Sequence, residues 1–192
     1  GQKYPEVMDK PEHLLSRTFC NKNPIVWKEE VVPMLRSWKL EDTQPTITHK
    51  MIGWLHKQGW LTRVYTQNID GLELHPDIFS ELSIDPSEYS EKIVQAHGCM
   101  RDGTVVLYGD KLSNTFYKAC EQDFNNPENP VDLVLVMGTS LQVAPFCSIP
   151  NLAPTTATRV LVDPNPSRVI SLNSWSITTK LAGRDVELGS LW

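Results

Sequence analysis

The chain has 192 residues, 40% hydrophobic and 21% charged, with a formal net charge of −5 at pH 7. That length and balance suit one domain with a real core, and the negative charge argues against a sequence-independent grip on nucleic acid. No apolar run approaches the roughly 20 residues of a membrane span, and the opening Gly-Gln-Lys-Tyr-Pro has no signal-peptide pattern and no initiator Met, as in a processed, engineered or truncated chain.

Taken in chain order, the first third, to about Gln44, holds helical pieces such as residues 26–38, interrupted by Pro33, and reads as a small helical layer over a site. A helix is expected from Thr46 to Gln58. Thr46 caps it, Ile47, Met51, Ile52 and Leu55 form its apolar stripe, and Gly59 ends it. Leu61 to Thr66 is a short β-branched and aromatic run, hence a strand. His75 to Ser90, with its prolines and acids, reads as a helix-and-loop insertion on the surface. Lys92 to Ala96 and Thr104 to Tyr108 are two more short strands, and Leu112 to Phe124 is helical.

Asn125 to Pro130 is a turn-rich linker before Val131 to Met137. That strand is apolar nearly throughout, as a parallel strand covered on both faces should be. Arg159 to Val162 repeats its character and Ser176 to Leu181 does so weakly. Strands alternating with helices predict an α/β fold with a parallel sheet and flanking helices. There is no repeat, no low-complexity tract and no sign of a second domain with its own core. Cys20, Cys99, Cys120 and Cys147 stand far apart with no Cys-x-x-Cys pair, so no metal site and no disulfide scaffold is expected. The thiols read as buried or reduced in an intracellular protein.

Ligands of open α/β sheets sit beyond the carboxyl ends of strands. Two strands here end in polar turns, Thr66-Gln67-Asn68-Ile69-Asp70-Gly71 and Gly138-Thr139-Ser140. Asn68 and Asp70 offer an amide and a carboxylate. Gly138 permits close backbone approach, and Thr139 and Ser140 supply hydroxyls. A third strand end carries Gln95-Ala96-His97-Gly98, where an imidazole with a pKa near 6.5 suits general-base work near neutral pH. Singly, such segments are usually no more than turns, and a lone His is usually structural. His13, His49, His56 and His75 are read as structural or solvated.

Together these segments resemble the sirtuin family. Thr66-Gln67-Asn68-Ile69-Asp70 with Gly71-Leu72-Glu73 is similar to the family signature, and Ala96-His97-Gly98 to its catalytic His-Gly. Val105-Val106-Leu107-Tyr108-Gly109-Asp110 resembles its Val-Phe-Phe-Gly-Glu strand. Gly138 to Phe146 matches a further hallmark, and Pro45-Thr46 through His49 resembles the Pro-Thr-x-x-His start of a family helix.

The resemblance implies a Rossmann-like sirtuin-type catalytic domain over 1–192, partial in extent, with a helical layer about 1–44 and a core about 45–192. It implies NAD as co-substrate and an acylated-lysine protein, histone or non-histone, as partner, in the nucleus or cytoplasm. Asn68, a catalytic residue beside His97, and Asp70 would hold the nicotinamide and its ribose, with Gln67 and Ile69 lining that pocket. The acyl-lysine oxygen would attack the ribose carbon as nicotinamide leaves, and His97 would then take a proton from a ribose hydroxyl. The products would be free lysine, nicotinamide and an O-acyl-ADP-ribose. Gly138, Thr139 and Ser140 match contacts to the phosphates or adenosine ribose, with Asp163 and Asn165 joining the cofactor site. The substrate peptide would add as a strand beside Val106, Tyr108 and Gly109.

Three departures stand out. The family's Gly-Ala-Gly-x-Ser phosphate loop has no counterpart, and the sequence opens just after its place. The family's zinc module, with two Cys-x-x-Cys pairs, belongs between His-Gly and the following strand, yet here Gly98 is followed at once by Cys99 to Gly103 and then the strand. The family's Leu-Ile-Asn appears as Leu161-Val162-Asp163. These departures leave two further readings beside deacylation: mono-ADP-ribosyl transfer, or a degenerate fold that binds a nucleotide or a protein.

Overall fold

A computed structural model describes residues 11–37, 39–163, 177–181 and 184–188. The chain divides into two units, Gly1–Tyr117 and Lys118–Trp192.

The first unit opens with α1 (Arg17–Lys22), capped by Ser16, whose hydroxyl accepts from Phe19 N–H at 3.1 Å. A helical run then passes through α2 (Pro24–Val26), a π-helical turn (Trp27–Val31) and α3 (Val32–Arg36). Pro33 does not interrupt this run. Proline lacks an N–H and crowds the carbonyl of the preceding turn, and the wider π turn just before it absorbs both defects. Phe19 and Val31 are buried there against Leu14, Leu15, Val26, Trp27 and Leu35.

The helix expected after Thr46 is α4 (Ile47–Lys57). The backbone N–H of Thr46 donates to His49 Nδ1 at 3.2 Å, so His49 is a capping group. The expected stripe holds only in part, since Ile52 is buried while Ile47 is 81% exposed. The reason is Gly53. A Cβ there would stand 2.6 Å from Ile78 and 2.8 Å from Leu82, so the glycine lets α4 press on α5 (Pro76–Leu82) and rotates the buried face away from Ile47. The segment around α5 and α6 (Pro86–Ser90) is not a surface insertion, because Ile78 and Tyr89 are completely buried. Its prolines open helices, Pro76 after the capping His75 and Pro86 after the capping Asp85.

Between these helices lie β1 (Val64–Thr66) and β2 (Ile93–Gln95), paired in parallel with Val64 opposite Ile93 and Thr66 opposite Gln95. The strand expected at Thr104 to Tyr108 does not form a ladder. It makes one parallel bridge, between Ser16 and Tyr108, and curves away through a turn in which Asp110 N–H donates to the Leu107 carbonyl. The unit closes with the start of α7 (Asn114–Phe124), whose buried Phe116 meets Tyr65 edge-to-face at 6.0 Å.

In the second unit β3 (Leu133–Met137) pairs in parallel with β4 (Thr158–Val162). Val136 and Leu161 are buried with Leu141, and α8 (Ile149–Leu152) belongs to this unit. The expected cover on both faces of β3 is incomplete. Leu133 is 48% exposed, since among the described residues β3 pairs with β4 alone. The segment near Ser176 is β5 (Ile177–Leu181), but it runs antiparallel to β6 (Arg184–Leu188). The short connection between them allows a hairpin and not the long crossover a parallel pair needs. Parallel ladders with helices in both units give the expected α/β class. No helix among the described residues is long and apolar enough to cross a membrane.

Candidate active site

The first set of site residues follows from the β1–β2 pairing. Because the strands are parallel and in register, their carboxyl ends lie side by side, and Ala96 N–H donates to the Thr66 carbonyl at 3.1 Å. Gln67 to Asp70 therefore leave β1 next to where His97 leaves β2. The His97 ring bonds to the backbone of Gln67, which ties the two turns together. His97 is half-buried. Burial pulls its pKa below the ordinary imidazole value, and the bond to Gln67 only partly opposes this.

The polar turn is held at several points. Asn68 N–H donates to Thr66 Oγ1 at 3.1 Å, and Asp70 Oδ1 accepts from Leu72 N–H at 3.1 Å. The Ile69 carbonyl accepts from Met100 N–H at 2.8 Å. Asn68 is exposed at the tip, while Gln67, Ile69 and Asp70 are half-buried.

After His97 the chain makes a tight turn. Gly98 has φ 72°, and a Cβ on it would lie 1.9 Å from the Thr104 carbonyl oxygen, so no side chain fits. Thr104 closes the turn, donating its N–H to the Cys99 carbonyl and accepting from Cys99 N–H through its hydroxyl. Val106 N–H then donates to the His97 carbonyl at 2.9 Å.

Tyr108 comes next, and both of its backbone groups are already engaged. Its N–H donates to the Leu15 carbonyl and its carbonyl accepts from Arg17 N–H, each at 2.9 Å. Arg17 also grips Asp110 through two bonds, at 2.9 and 2.7 Å, which holds the Asp110 carboxyl below its usual range. Leu107 is engaged as well, its N–H donating to Asp110 Oδ2 at 3.4 Å and its carbonyl accepting from Asp110 N–H at 2.9 Å. The Arg17–Asp110 clasp carries no sequence signal, because its partners are far apart in the chain.

Glu73 and Thr66 form a buried pair that sequence reasoning did not assign a role. Thr66 Oγ1 donates to Glu73 Oε1 at 2.5 Å.

The second set lies in the other unit, at the carboxyl ends of β3 and β4. Gly138, with φ 61°, donates its N–H to the Val162 carbonyl at 3.1 Å, beside Asp163. Thr139 Oγ1 accepts from Leu141 N–H at 3.2 Å, and Thr139, Ser140 and Asp163 are half-buried. Asn165 lies outside the described residues.

The sequence model of the Sir2 family matches residues 2–102, which takes in the β1 turn and His97. The chain belongs to the Sir2 family. Curated relatives include the NAD-dependent protein deacetylase SIR2rp1 of Leishmania major, 29% identical over 181 residues, covering 81% of this chain and 47% of the relative. The NAD-dependent protein deacetylase hst2 of Schizosaccharomyces pombe is 28% identical, over 81% of this chain and 52% of the relative. The NAD-dependent protein deacetylase sirtuin-2 of Danio rerio is 28% identical, over 84% and 47%. The chain spans about half the length of the curated relatives it matches.

The zinc of other Sir2 proteins finds no fitting ligands in the part of this one that is described. Among those residues no group of three or more His, Cys, Asp and Glu side chains is arranged to hold a metal, and Cys99 is buried against Gly71.

Proposed function

We propose that this Sir2 protein is an NAD-dependent protein-lysine deacylase that works inside the cell, in the nucleus or cytoplasm, on acylated histone or non-histone proteins. One observation carries the reading: the His97 ring is bonded to the backbone of Gln67, so a shielded imidazole stands against the Gln67–Asp70 turn. The named activity of the relatives supports it.

The residues present suit NAD. Gln67, Asn68, Ile69 and Asp70 offer an amide, a carboxylate and an apolar wall for the nicotinamide and its ribose. Gly138, Thr139, Ser140 and Asp163 carry the backbone, hydroxyl and carboxylate chemistry that phosphate or ribose takes, and Asn165 joins them from sequence alone. Among the described residues a Cβ on Gly138 would meet nothing within 4 Å. When bound, NAD supplies an electrophilic ribose carbon and a nicotinamide leaving group. His97, neutral near pH 7 because burial disfavours its cation, would take a proton from a ribose hydroxyl when NAD is bound. Asn68 and Asp70 orient the ribose, and the half-buried turn limits water. The acyl-lysine peptide would lie along Val106, Tyr108 and Gly109 through contacts other than backbone pairing at Tyr108, whose N–H and carbonyl are engaged by Leu15 and Arg17.

Turnover of an acyl-lysine peptide with NAD by the 192-residue chain tests the proposal, with His97→Ala as control. No turnover by the chain, or full activity in the variant, overturns it. A second reading, nucleotide binding without acyl transfer, is favoured by the engagement of both Tyr108 backbone groups with Leu15 and Arg17. Calorimetric heat with NAD but no turnover of peptide would select it, and turnover of peptide with NAD also separates deacylation from mono-ADP-ribosyl transfer.

A further inference from the structure

Beneath the Gln67–Asp70 turn lies a carboxylate in an unfavourable place. Glu73 is only 4% exposed, and its Oε2 is buried without a hydrogen-bond partner. A buried, half-satisfied carboxylate is costly, and an apolar residue of similar size would ordinarily be better tolerated there. What Glu73 does hold is the Thr66 hydroxyl, at 2.5 Å through Oε1.

A hydroxyl has one proton and two lone pairs, and an ionised carboxylate can only accept. Glu73 therefore accepts the Thr66 O–H hydrogen bond, which leaves a lone pair of the hydroxyl facing outward, and that same oxygen accepts from Asn68 N–H at 3.1 Å. Without the carboxylate the hydroxyl is free to turn its proton elsewhere, including toward the Asn68 N–H. We infer that Glu73 is a positioning residue: it fixes the rotor of Thr66, and through it the backbone of the turn that carries Gln67, Asn68 and Asp70. Its catalytic consequence rests on the function proposed above. Burial, with Glu73 nearby, pushes the Tyr89 phenol well above its usual range.

The test uses the full chain and four substitutions. Glu73→Leu and Thr66→Val each break the relay, whereas Glu73→Gln and Thr66→Ser keep an acceptor and a hydroxyl. Amide hydrogen exchange, read residue by residue, should be about tenfold faster at Asn68 in the first two, the loss of one modest hydrogen bond. It should return to near the wild-type rate in the conservative pair. Exchange at Ile78 and Tyr89, in the core of the same unit, should hardly move. In the acyl-peptide assay kcat should fall about tenfold while the peptide KM stays within about twofold, as expected for lost orientation and not lost peptide binding.

Unchanged exchange at Asn68 in Glu73→Leu overturns the inference, and so does a rise shared equally by Ile78 and Tyr89. Should Glu73→Leu not fold, Glu73→Ala decides by the same readout, because it also removes the acceptor of the Thr66 proton and leaves the Thr66 hydroxyl in place. A wild-type chain without NAD-dependent turnover would defeat the proposed activity, while exchange at Asn68 would still decide the role of Glu73.

Discussion

Replacing Gly98 by alanine should damage the fold far more than an ordinary glycine replacement, for two separable reasons. The residue has φ 72°, where an L side chain costs about 1–2 kcal/mol. Its new Cβ would also fall 1.9 Å from the Thr104 oxygen and 2.5 Å from the Thr104 carbonyl carbon, both of them backbone atoms. Thr104 would have to retreat by about 1 Å, since packed interiors offer no slack for such an overlap. That movement breaks the closure between Cys99 and Thr104 and loosens the bond from Val106 to His97. At about 1 kcal/mol for each hydrogen bond, the whole loss comes to about 3–5 kcal/mol, a large share of a total of roughly 5–15 kcal/mol.

Gly59 is the matched control. It has φ 73°, but a Cβ there meets nothing within 4 Å, so Gly59→Ala should lose only the conformational part, about 1–2 kcal/mol. Urea unfolding followed by circular dichroism gives both values. With a slope of about 2 kcal/mol per molar, the midpoint should fall by about 2 M for Gly98→Ala and by less than about 1 M for Gly59→Ala. Equal losses in the two variants would refute the reasoning, because they would mean that the clash with Thr104 is relieved at no cost.

Other outcomes follow from the same geometry. Removing the His97 imidazole should lower acyl-lysine turnover by about 10²–10⁴-fold, measured as deacylated peptide formed with NAD. Because burial lowers the His97 pKa, the acid limb of the pH–rate profile should fall below the ordinary value of about 6.5, and a midpoint above that value would contradict the shielding. The same group makes stability pH-dependent. Its contribution is fully present above about pH 6.5 and is lost as pH drops through the lower folded value, since the unfolded chain binds the proton more readily. The Tyr89 hydroxyl is buried without a partner, so Tyr89→Phe should raise stability by about 1 kcal/mol, and a fall in the thermal midpoint would be evidence against that orphaned group. Arg17→Ala should leave the thermal midpoint nearly unchanged, because the clasp with Asp110 lies at the surface, and a large drop would show the clasp to be structural.

Local patterns were legible in the sequence where the chemistry is local. Thr46 before an amphipathic run marked the start of a helix, and the β-branched runs at Val64–Thr66 and Ile93–Gln95 marked strands. The polar turns after them placed Gln67 to Asp70 and His97 at strand ends, and parallel pairing brings those ends together. Contacts made between distant segments were not legible. Nothing in the spacing of Ile47 and Met51 shows that Gly53 will turn the helix and leave them outside. Acidic and proline-rich letters around Tyr89 suggested surface, although the prolines serve as first residues of helices and the aromatic ring lies inside. The strand expected at Tyr108 is absent as a ladder because its partner is a short stretch near Ser16, which no local pattern announces.

The turn that follows His97 is built to tolerate a change of length. Its two stems are clamped, Cys99 to Thr104 on one side and His97 to Val106 on the other, while its tip, Arg101 to Gly103, is exposed. A loop whose ends are fixed by its own stems can lengthen cheaply, since each doubling costs only about 0.6 kcal/mol in closure entropy. Extra residues inserted at this tip would therefore leave the His97 ring and its bond to Gln67 in place, because the stem bonds, and not the tip, set the path of the chain after His97.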